Sequence, residues 1–257
     1  RIHLLNEAKK LAFADRNRYA GDPAFVQWPL DRLISKSHAA ERRAEIDPAR
    51  VRSRNDLVVE EHGGDTSYFA VADGDGNAVS FIHSLSNSFG SAVVAGETGI
   101  TLNNRGGRGF SLDPRHPNVI APGKRTMHTL NAYQVFRDGP PWLIGGTPSG
   151  DQQTQWNTQV VSNLIDHGMA LQDVVDAPRW YGFPGTDPAT IDRPPVLKVD
   201  RRIGESTCKR LAEMGHTVEP LAPWSGGGAV QLIEFDRSRG VLRGASDSRP
   251  GGLALGI

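Results

Sequence analysis

Two strand-like runs that follow a pair of glycines restrict the fold of this 257-residue chain more than any other feature. The runs Thr66–Ala72 and Ala78–His83 have the aromatic and β-branched content of strands, and Asp73–Asn77 (DGDGN) between them is typical of a hairpin turn. Gly63 and Gly64 come just before the first run, where glycine permits a sharp bend or a close backbone approach. Thr66 therefore either opens a strand after an ordinary loop or becomes a chain end after cleavage.

The hairpin turn also resembles the opening of a calcium-binding loop. Such a loop needs a glycine at its sixth place and an acid at its twelfth, where this chain has Ala78 and Ser84. The mismatch disfavours a calcium site and favours a plain turn.

Helical and strand-like patterns come in separate blocks along the chain. A first helix carries Leu4, Ala8, Leu11 and Ala12 on one face and stops at Gly21–Pro23, and 47–64 is expected to be an exposed connector. Further helices are predicted over 30–45, 152–167, 203–214 and from 171, and further strands over 99–102, 133–136, 142–145, 229–235 and 241–245. This blockwise order predicts an α+β layered fold rather than a parallel α/β repeat.

Charge and hydropathy exclude several partner classes. Lys plus Arg and Asp plus Glu balance at 29 each, so no whole-chain field attracts nucleic acid or an anionic membrane. No apolar run approaches the roughly 20 residues that span a bilayer. No signal peptide is visible, and the opening RIHLLNEAKK reads as a helix entered partway. We therefore expect a soluble protein whose upstream sequence is missing, with cytoplasm and periplasm both open.

The motifs of common catalytic and cofactor sites are missing from the sequence. The segment 146–150 (GTPSG) has the wrong spacing for a G-x-S-x-G nucleophile, and no phosphate-binding glycine loop occurs. Cys208 has helical spacing from Leu211 and Ala212, which is typical of a structural thiol. Neither H-E-x-x-H nor a paired ligand spacing includes His62, His83, His116, His128, His167 or His216. The sequence therefore predicts no metal site and no cofactor.

Threonine chemistry remains as a candidate. A threonine hydroxyl is a weak nucleophile unless a base stands beside it, and a terminal α-amine with a pKa of about 7.7–8.0 is such a base. Only a break of the Asp65–Thr66 peptide bond gives Thr66 that amine. The glycine pair alone does not distinguish this reading from a plain loop.

Several ordered segments along the whole chain resemble one known family. They are ADRNRYAGDP, TSYFAVAD, DGNAVSFIHSLSNSFGS, GETGITLNN, PGKR, GGTPSGD, DAPRW and GASDSR. Through them the chain is similar to the γ-glutamyltranspeptidases and their acylase relatives, which are amino-terminal-nucleophile hydrolases. The resemblance implies a four-layer αββα sandwich and a precursor that cuts itself before the threonine. Residues 1–65 would then be the tail of a large subunit and 66–257 the small subunit, within one structural domain whose N-terminal part is missing.

The resemblance also implies roles for individual residues. Thr66 would be the nucleophile and Asp65–Thr66 the processed bond. Ser84 stands where the family holds a hydroxyl that hydrogen-bonds the nucleophile, with a half-buried strand-end serine as the alternative. Ser149 and Gly150 stand where two backbone N–H groups form the family's oxyanion hole, with Ser149 in place of a more usual glycine.

Recognition of the donor departs from the family pattern. The matching places hold Ser86, Asn87, Arg105, Arg108, His128 and Thr129. Two guanidiniums repel an ammonium and can bind carboxylate in bidentate fashion. We therefore expect a donor acyl group that ends in a carboxylate without an α-amine, such as glutaryl or an oxamate-like group. The alternative is that both arginines are solvated loop residues.

The function predicted from the resemblance is an autoprocessing threonine amidohydrolase or acyltransferase without a cofactor. Its partners would be a small amide donor, water or an amine acceptor, and the remaining large-subunit segment, with no nucleic acid and no membrane. A homo-oligomer of processed heterodimers is left open. The alternatives are an authentic γ-glutamyltranspeptidase (glutathione hydrolase) and an inactive structural or binding relative.

Overall fold

A computed structural model of the protein describes residues 1–52, 64–186 and 193–256. The α-helices in these ranges are α1 (Ile2–Tyr19), α2 (Leu30–Leu33), α3 (Lys36–Ala44), α4 (Arg105–Gly109), α5 (Gln152–Ile165), α6 (Leu171–Asp176) and α7 (Glu205–Glu213). The strands are β1 (Gly64–Ala72), β2 (Ala78–Asn87), β3 (Ala132–Phe136), β4 (Pro141–Gly146), β5 (Trp180–Phe183), β6 (Val196–Asp200), β7 (Val218–Leu221), β8 (Gln231–Asp236) and β9 (Val241–Ser246). None of these helices combines the length and the apolar character that a membrane crossing requires.

The chain divides into two compact units. The first takes in Arg1–Glu61, Asn104–His128 and Trp180–Leu221, and the second takes in His62–Asn103, Thr129–Arg179 and Ala222–Ile257. In its described residues the first unit contains α1–α4, α7 and a sheet of order β5-β6-β7. The second contains α5, α6, the β1–β2 hairpin and a sheet of order β3-β4-β8-β9.

The core of the second unit lies between its four-stranded antiparallel sheet and the helices α5 and α6. Trp156 and Val160 on α5 are each 2% exposed, as the apolar stripe of the predicted helix requires, whereas Ile165 at its end is half exposed. The buried cluster is Leu143, Val160, Leu171, Val174, Val175, Val230, Leu232 and Ala245. Burial of these side chains fixes β4, and with it the turn that follows β4.

The core of the first unit is a smaller cluster. Trp180, Leu197, Val199 and Leu211 are buried together, and Cys208 packs against them partly buried, as a structural thiol would. The strands that carry this cluster pair antiparallel (β5 with β6) and parallel (β6 with β7). None of these three strands is predicted from the sequence, because short strands such as β5, at four residues, give little periodic signal.

The buried face of α1 is largely polar, and it differs from the apolar face seen in the sequence. Its buried residues are His3, Asn6, Glu7, Leu11 and Asp15. Leu4, by contrast, is 44% exposed, and Ala8 and Ala12 are exposed. Buried polar groups of this kind need partners, and Asp15 has them: His38 Nε2 at 2.9 Å and the guanidinium of Arg42.

Two predicted elements differ in the structure. The helix predicted over 30–45 is broken into α2 and α3, because Ser35 takes an extended conformation and caps α3 by accepting from the N–H of His38 at 3.1 Å. The strand predicted over 99–102 is reduced to a single bridge between Val94 and Thr101. Most of the predicted connector, residues 53–63, lies outside the described residues.

Candidate active site

The predicted β1–β2 hairpin is confirmed, and its turn is closed by its own side chains. Oδ1 of Asp73 accepts from the N–H groups of Asp75 at 3.1 Å and Asn77 at 2.9 Å. A hydrogen bond from the Asn77 side chain, followed by these backbone bonds, lowers the pKa of the Asp73 carboxyl. The carboxylate thus holds the turn together, which favours the plain-turn reading over a calcium loop.

The hairpin changes register at the Asp65–Thr66 bond. Thr66 pairs with Ser84 while Asp65 pairs with Ser86, so Leu85 is an extra residue on β2. Ser86 has a φ of 78°, in the left-handed region that non-glycine residues rarely adopt. Bulges of this kind re-aim side chains and are common beside active sites. The irregularity therefore lies at the Asp65–Thr66 bond, whose cleavage is implied by the family resemblance.

The bulge brings two hydroxyl groups together. Thr66 Oγ1 lies 2.8 Å from Ser84 Oγ, and Ser84 Oγ also accepts from the N–H of Ser86 at 2.9 Å. Both side chains are half-buried. The backbone N–H therefore occupies one lone pair of Ser84 Oγ, and either hydroxyl can be the donor in the contact between Ser84 and Thr66.

The Thr66 face of the hairpin packs against β4. Tyr68, two residues along the strand on the same face, is buried, and its hydroxyl lies 2.7 Å from Ser80 Oγ. The ring of Tyr68 leaves no space for a Cβ at Gly146, the last residue of β4. Burial raises the pKa of Tyr68 to about 12, so the phenol keeps its proton at neutral pH. Tyr68 therefore packs beside Gly146 on the same face of β1 as Thr66, and its hydroxyl stays protonated.

The turn after β4 presents two backbone donors. Ser149 and Gly150 have φ values of 98° and 50°. Their carbonyl oxygens accept from the N–H groups of Gln152 and Gln153, at 3.0 and 3.2 Å, at the start of α5. Within the described ranges, neither the Ser149 N–H nor the Gly150 N–H donates a hydrogen bond. Successive N–H groups in such a turn form a concave site for an anionic oxygen.

Thr147 fixes this turn, a role that sequence analysis missed. Its side chain is fully buried, and Oγ1 accepts from the N–H of Ala229 at 3.0 Å. A Cβ at Gly228 would come within 2.8 Å of the same oxygen, so a close backbone approach holds the two loops together. Thr147 in the segment GGTPSGD was the feature of the sequence that could have indicated this role.

A buried ion network supports the same loops and was also missed. Arg179 forms an ion pair with Asp247 at 2.5 Å and donates to the carbonyl of Gly227 at 2.8 Å. Arg249 donates to Asp247 Oδ1 and to the carbonyl of Ala177, each at 2.8 Å. The Asp247 side chain is fully buried, with guanidiniums on two sides. The motifs DAPRW and GASDSR thus supply the partners of one network.

The remaining predicted site residues fall in both units. Ser86, Asn87 and Thr129 belong to the second unit, as do Thr66, Ser84, Ser149 and Gly150; Arg105, Arg108 and His128 belong to the first. The Ser86 hydroxyl is buried and has no hydrogen-bond partner among the described residues, so it can serve a ligand.

Cationic side chains surround the His128 region of the first unit. The short helix α4 carries Arg105 and Arg108 three residues apart, and Arg105 Nε donates to the carbonyl of Met127 at 3.0 Å. Arg16 donates to the carbonyl of His128 at 3.3 Å. Partial desolvation, followed by the charges of Arg105 and Arg16, lowers the pKa of His128. This region therefore has a positive potential suited to an anion.

Comparisons with known proteins identify relatives of this chain. The family model described as gamma-glutamyltranspeptidase matches residues 1–257. The chain is 40% identical to the glutathione hydrolase-like YwrD proenzyme of Bacillus subtilis (strain 168) and 35% identical to the oxamate amidohydrolase proenzyme of Klebsiella pneumoniae. Each alignment covers 99% of this chain and 47% of the relative.

A solved structure also matches this chain. The cephalosporin acylase from Bacillus halodurans matches with a TM-score of 0.81 and 36% identity, over 96% of this chain and 43% of that one. The chain spans about half the length of the curated relatives it matches. The likeness confirms the predicted α+β fold of the amino-terminal-nucleophile hydrolase type. The chain belongs to the γ-glutamyltranspeptidase family.

Proposed function

We propose that the protein is an autoprocessing amidohydrolase or acyltransferase whose nucleophile is the hydroxyl of Thr66. The observation that carries the proposal is the 2.8 Å contact of Thr66 Oγ1 with Ser84 Oγ, at a bulge that coincides with the Asp65–Thr66 bond. The relatives' names, which include several proenzymes, support a chain that is made as a precursor.

Processing begins with the threonine oxygen. Thr66 Oγ1 attacks the Asp65 carbonyl carbon, the Asp65–Thr66 C–N bond breaks, and the proton from the hydroxyl goes to the departing nitrogen. The product is an ester between Asp65 and the Thr66 side chain. Water then hydrolyses this ester, which leaves a carboxylate on Asp65 and a free α-amine on Thr66. Ser84 orients the attacking oxygen through the bond described above.

Turnover uses the same oxygen with the new amine as base. The α-amine takes the Thr66 hydroxyl proton while Oγ1 attacks the donor amide, and the N–H groups of Ser149 and Gly150 receive the oxyanion. The leaving amine departs with the proton, and the acyl-threonine ester passes to water or to an acceptor amine. Each N–H group that donates to the oxyanion typically lowers the activation barrier by about 2.7–4 kcal/mol.

The donor is proposed to carry a terminal carboxylate and no α-amine. Arg105 and Arg108 lie on one short helix in a region of positive potential, which favours an anion over an ammonium. One relative is named for oxamate, which has a carboxylate and no α-amino group. Another is named as glutathione hydrolase-like, which supports the alternative of a γ-glutamyl donor.

The two pieces made by cleavage are proposed to stay together as large-subunit tail 1–65 and small subunit 66–257. The first compact unit contains residues that precede the proposed cleavage point and residues that follow it. Lys9 on α1 donates to the carbonyl of Pro184 at 2.5 Å, and Asp22 accepts from the backbone N–H of Arg125 at 2.8 Å. Such contacts do not depend on the Asp65–Thr66 bond.

Replacing the nucleophile tests the proposal directly. On a denaturing gel and by intact mass, full-length wild type should give two pieces, while Thr66→Ala should give one uncut chain without amidase activity. Ser67→Ala is the matched control, because Ser67 is the next residue on β1 and lies on its exposed face. A single uncut, inactive chain for wild type would instead support the inactive relative.

The donor is tested by comparing γ-glutamyl-p-nitroanilide with glutaryl-p-nitroanilide. We expect the higher kcat/KM with glutaryl, and a loss of that preference in Arg108→Gln. Arg115→Gln is the control, because Arg115 is 89% exposed and pairs locally with Asp113. A much faster γ-glutamyl reaction would establish the authentic γ-glutamyltranspeptidase instead.

A further inference from the structure

Two histidines and a glutamate meet at the polar face of α1 in the first unit. His3 and Glu7 are one helical turn apart on α1, and His216 follows α7. One ligand atom from each residue lies within 4.8 Å of the other two. His3, Glu7 and His216 are 3%, 2% and 7% exposed, so the cluster is a buried set of potential metal-ligand atoms. Sequence spacing could not reveal it, because His3 and His216 are 213 positions apart.

Hydrogen bonds fix the orientation of both imidazoles. His3 Nε2 lies 2.7 Å from the carbonyl oxygen of Asp47, so this nitrogen carries a proton and Nδ1 presents its lone pair. That lone pair faces His216 Nε2 at 2.8 Å. A metal-binding histidine typically donates its other N–H to a carbonyl or carboxylate, and Asp47 already accepts such a bond.

Glu7 is held from two sides. Oε2 accepts from the backbone N–H of Arg52 at 3.1 Å, and Oε1 accepts from the ammonium of Lys10 at 2.5 Å. The Lys10 side chain is 21% exposed and can turn towards solvent. A cation at Oε1 would take the place of the Lys10 ammonium, while the Arg52 N–H would keep the carboxylate in position.

We propose that His3 Nδ1, His216 Nε2 and Glu7 Oε1 bind a zinc ion. Zn–N bonds of about 2.0–2.1 Å at a tetrahedral angle set the two ring nitrogens roughly 3.3 Å apart. The 2.8 Å separation therefore has to open by about half an ångström, and each ring has to turn its nitrogen lone pair from the other ring towards the ion. Binding moves the His216 proton from Nε2 to Nδ1 through solvent, so the ion replaces the imidazole–imidazole hydrogen bond.

The donor set favours zinc over harder cations. Two imidazole nitrogens and one carboxylate oxygen match zinc, whereas calcium and magnesium prefer oxygen ligands throughout. Three protein ligands leave the fourth tetrahedral position to water. His3 and Glu7 precede Asp65 and His216 follows it, so the ion would also bridge the two pieces. That last consequence rests on the proposed cleavage, whereas zinc binding itself does not.

Zinc sulfate titrated into metal-free full-length protein, in competition with a chromogenic zinc indicator, tests the site. Wild type should bind one zinc ion per chain with the highest affinity, and Glu7→Gln and His216→Gln should each weaken that binding at least roughly tenfold. His167→Gln is the control, because His167 is exposed and unrelated to the cluster. Equal affinities in wild type, Glu7→Gln and His216→Gln would overturn the proposal.

Lys10→Met gives an independent test that keeps all three ligands. Removing the competing ammonium should tighten zinc binding roughly tenfold. This variant decides the matter even where a ligand variant fails to fold, and unchanged or weaker binding in it would overturn the site. The uncut Thr66→Ala chain should bind zinc as wild type does, so failure of the zinc site and failure of the cleavage proposal are separate results.

Discussion

Thr66 Oγ1 lies 2.8 Å from Ser84 Oγ, across the point where the β1–β2 register shifts. The serine also accepts a hydrogen bond from the backbone N–H of Ser86, which holds the serine oxygen in place. A hydroxyl held in this way can steady the threonine oxygen in both the proposed precursor cleavage and the proposed turnover. In the proposed mechanism the hairpin therefore supports the nucleophile.

Ser84→Ala should slow both reactions. Loss of one hydrogen bond of about 1.4 kcal/mol predicts a fall of about tenfold in kcat and in the rate of self-cleavage, with KM little changed. Stopped time courses on gels and steady-state kinetics measure the two effects. Ser67→Ala, on the opposite face of β1, should leave both rates as they are. Equal rates for Ser84→Ala and wild type would remove Ser84 from the mechanism.

Ser149→Gly should stabilise the protein and retain activity. Ser149 has a φ of 98°, a conformation that costs a non-glycine residue on the order of 1 kcal/mol or more. Glycine relieves this strain, and we expect the free energy of unfolding, measured with denaturant, to rise by about 1 kcal/mol. Activity should persist because the proposed donors are main-chain N–H groups.

Ser149→Ala is the control for that prediction, because alanine retains the strain and lacks only the hydroxyl. It should leave both stability and activity near those of wild type. A large loss of kcat in both variants would show instead that the Ser149 hydroxyl takes part in the reaction.

Gly146→Ala should destabilise the fold at the base of the site. A Cβ at Gly146 would overlap the buried ring of Tyr68, and such overpacking typically costs about 1–3 kcal/mol. Gly74→Ala is the matched control, because a Cβ at Gly74 meets nothing within 4 Å. Denaturant unfolding of both variants measures the difference, and equal stabilities would mean that β1 and β4 have room to separate.

The hairpin could be predicted from the sequence because its signals are local. Alternating residues mark the strands, and Asp73 closes the turn with bonds to residues only two and four positions away. The bulge at Leu85 was not predictable in the same way, since register is set by packing against β4 as well as by the turn. The contact of Thr66 with Ser84 depends on that bulge.

Long-range pairing accounts for most of what the sequence did not reveal. β6 and β7 form a parallel pair, which no short-range turn signal marks. The buried face of α1 could not be predicted from hydrophobicity, because His3 and Glu7 are buried through partners far along the chain. For the site, the family resemblance named candidate residues, whereas the supporting role of Thr147 follows only from its contact with Ala229.

Asp247→Asn should strongly destabilise the second unit. It removes the charge that faces two buried guanidiniums, Arg179 and Arg249, and breaking a buried pair in this way typically costs about 3–5 kcal/mol. Asp113→Asn is the control, because the Arg115–Asp113 pair is exposed and such pairs contribute about 0–1 kcal/mol. A loss below about 1 kcal/mol for Asp247→Asn, by denaturant unfolding, would show that the network is not a stability element.

Acid should weaken the contact between Asp22 and Arg125. The side-chain bond from Arg125, then its backbone N–H and that of Ala24, lower the pKa of Asp22 from 3.8 to about 2. Because the folded-state pKa is below the unfolded value, this contribution to stability is complete above about pH 5 and is lost as the pH falls towards 2. The difference in unfolding free energy between wild type and Asp22→Asn should therefore be constant above about pH 5 and shrink between pH 4 and 2. Denaturant unfolding at a series of pH values measures it, and a difference that stays constant down to pH 2 would show that the Asp22 carboxylate gains nothing from Arg125.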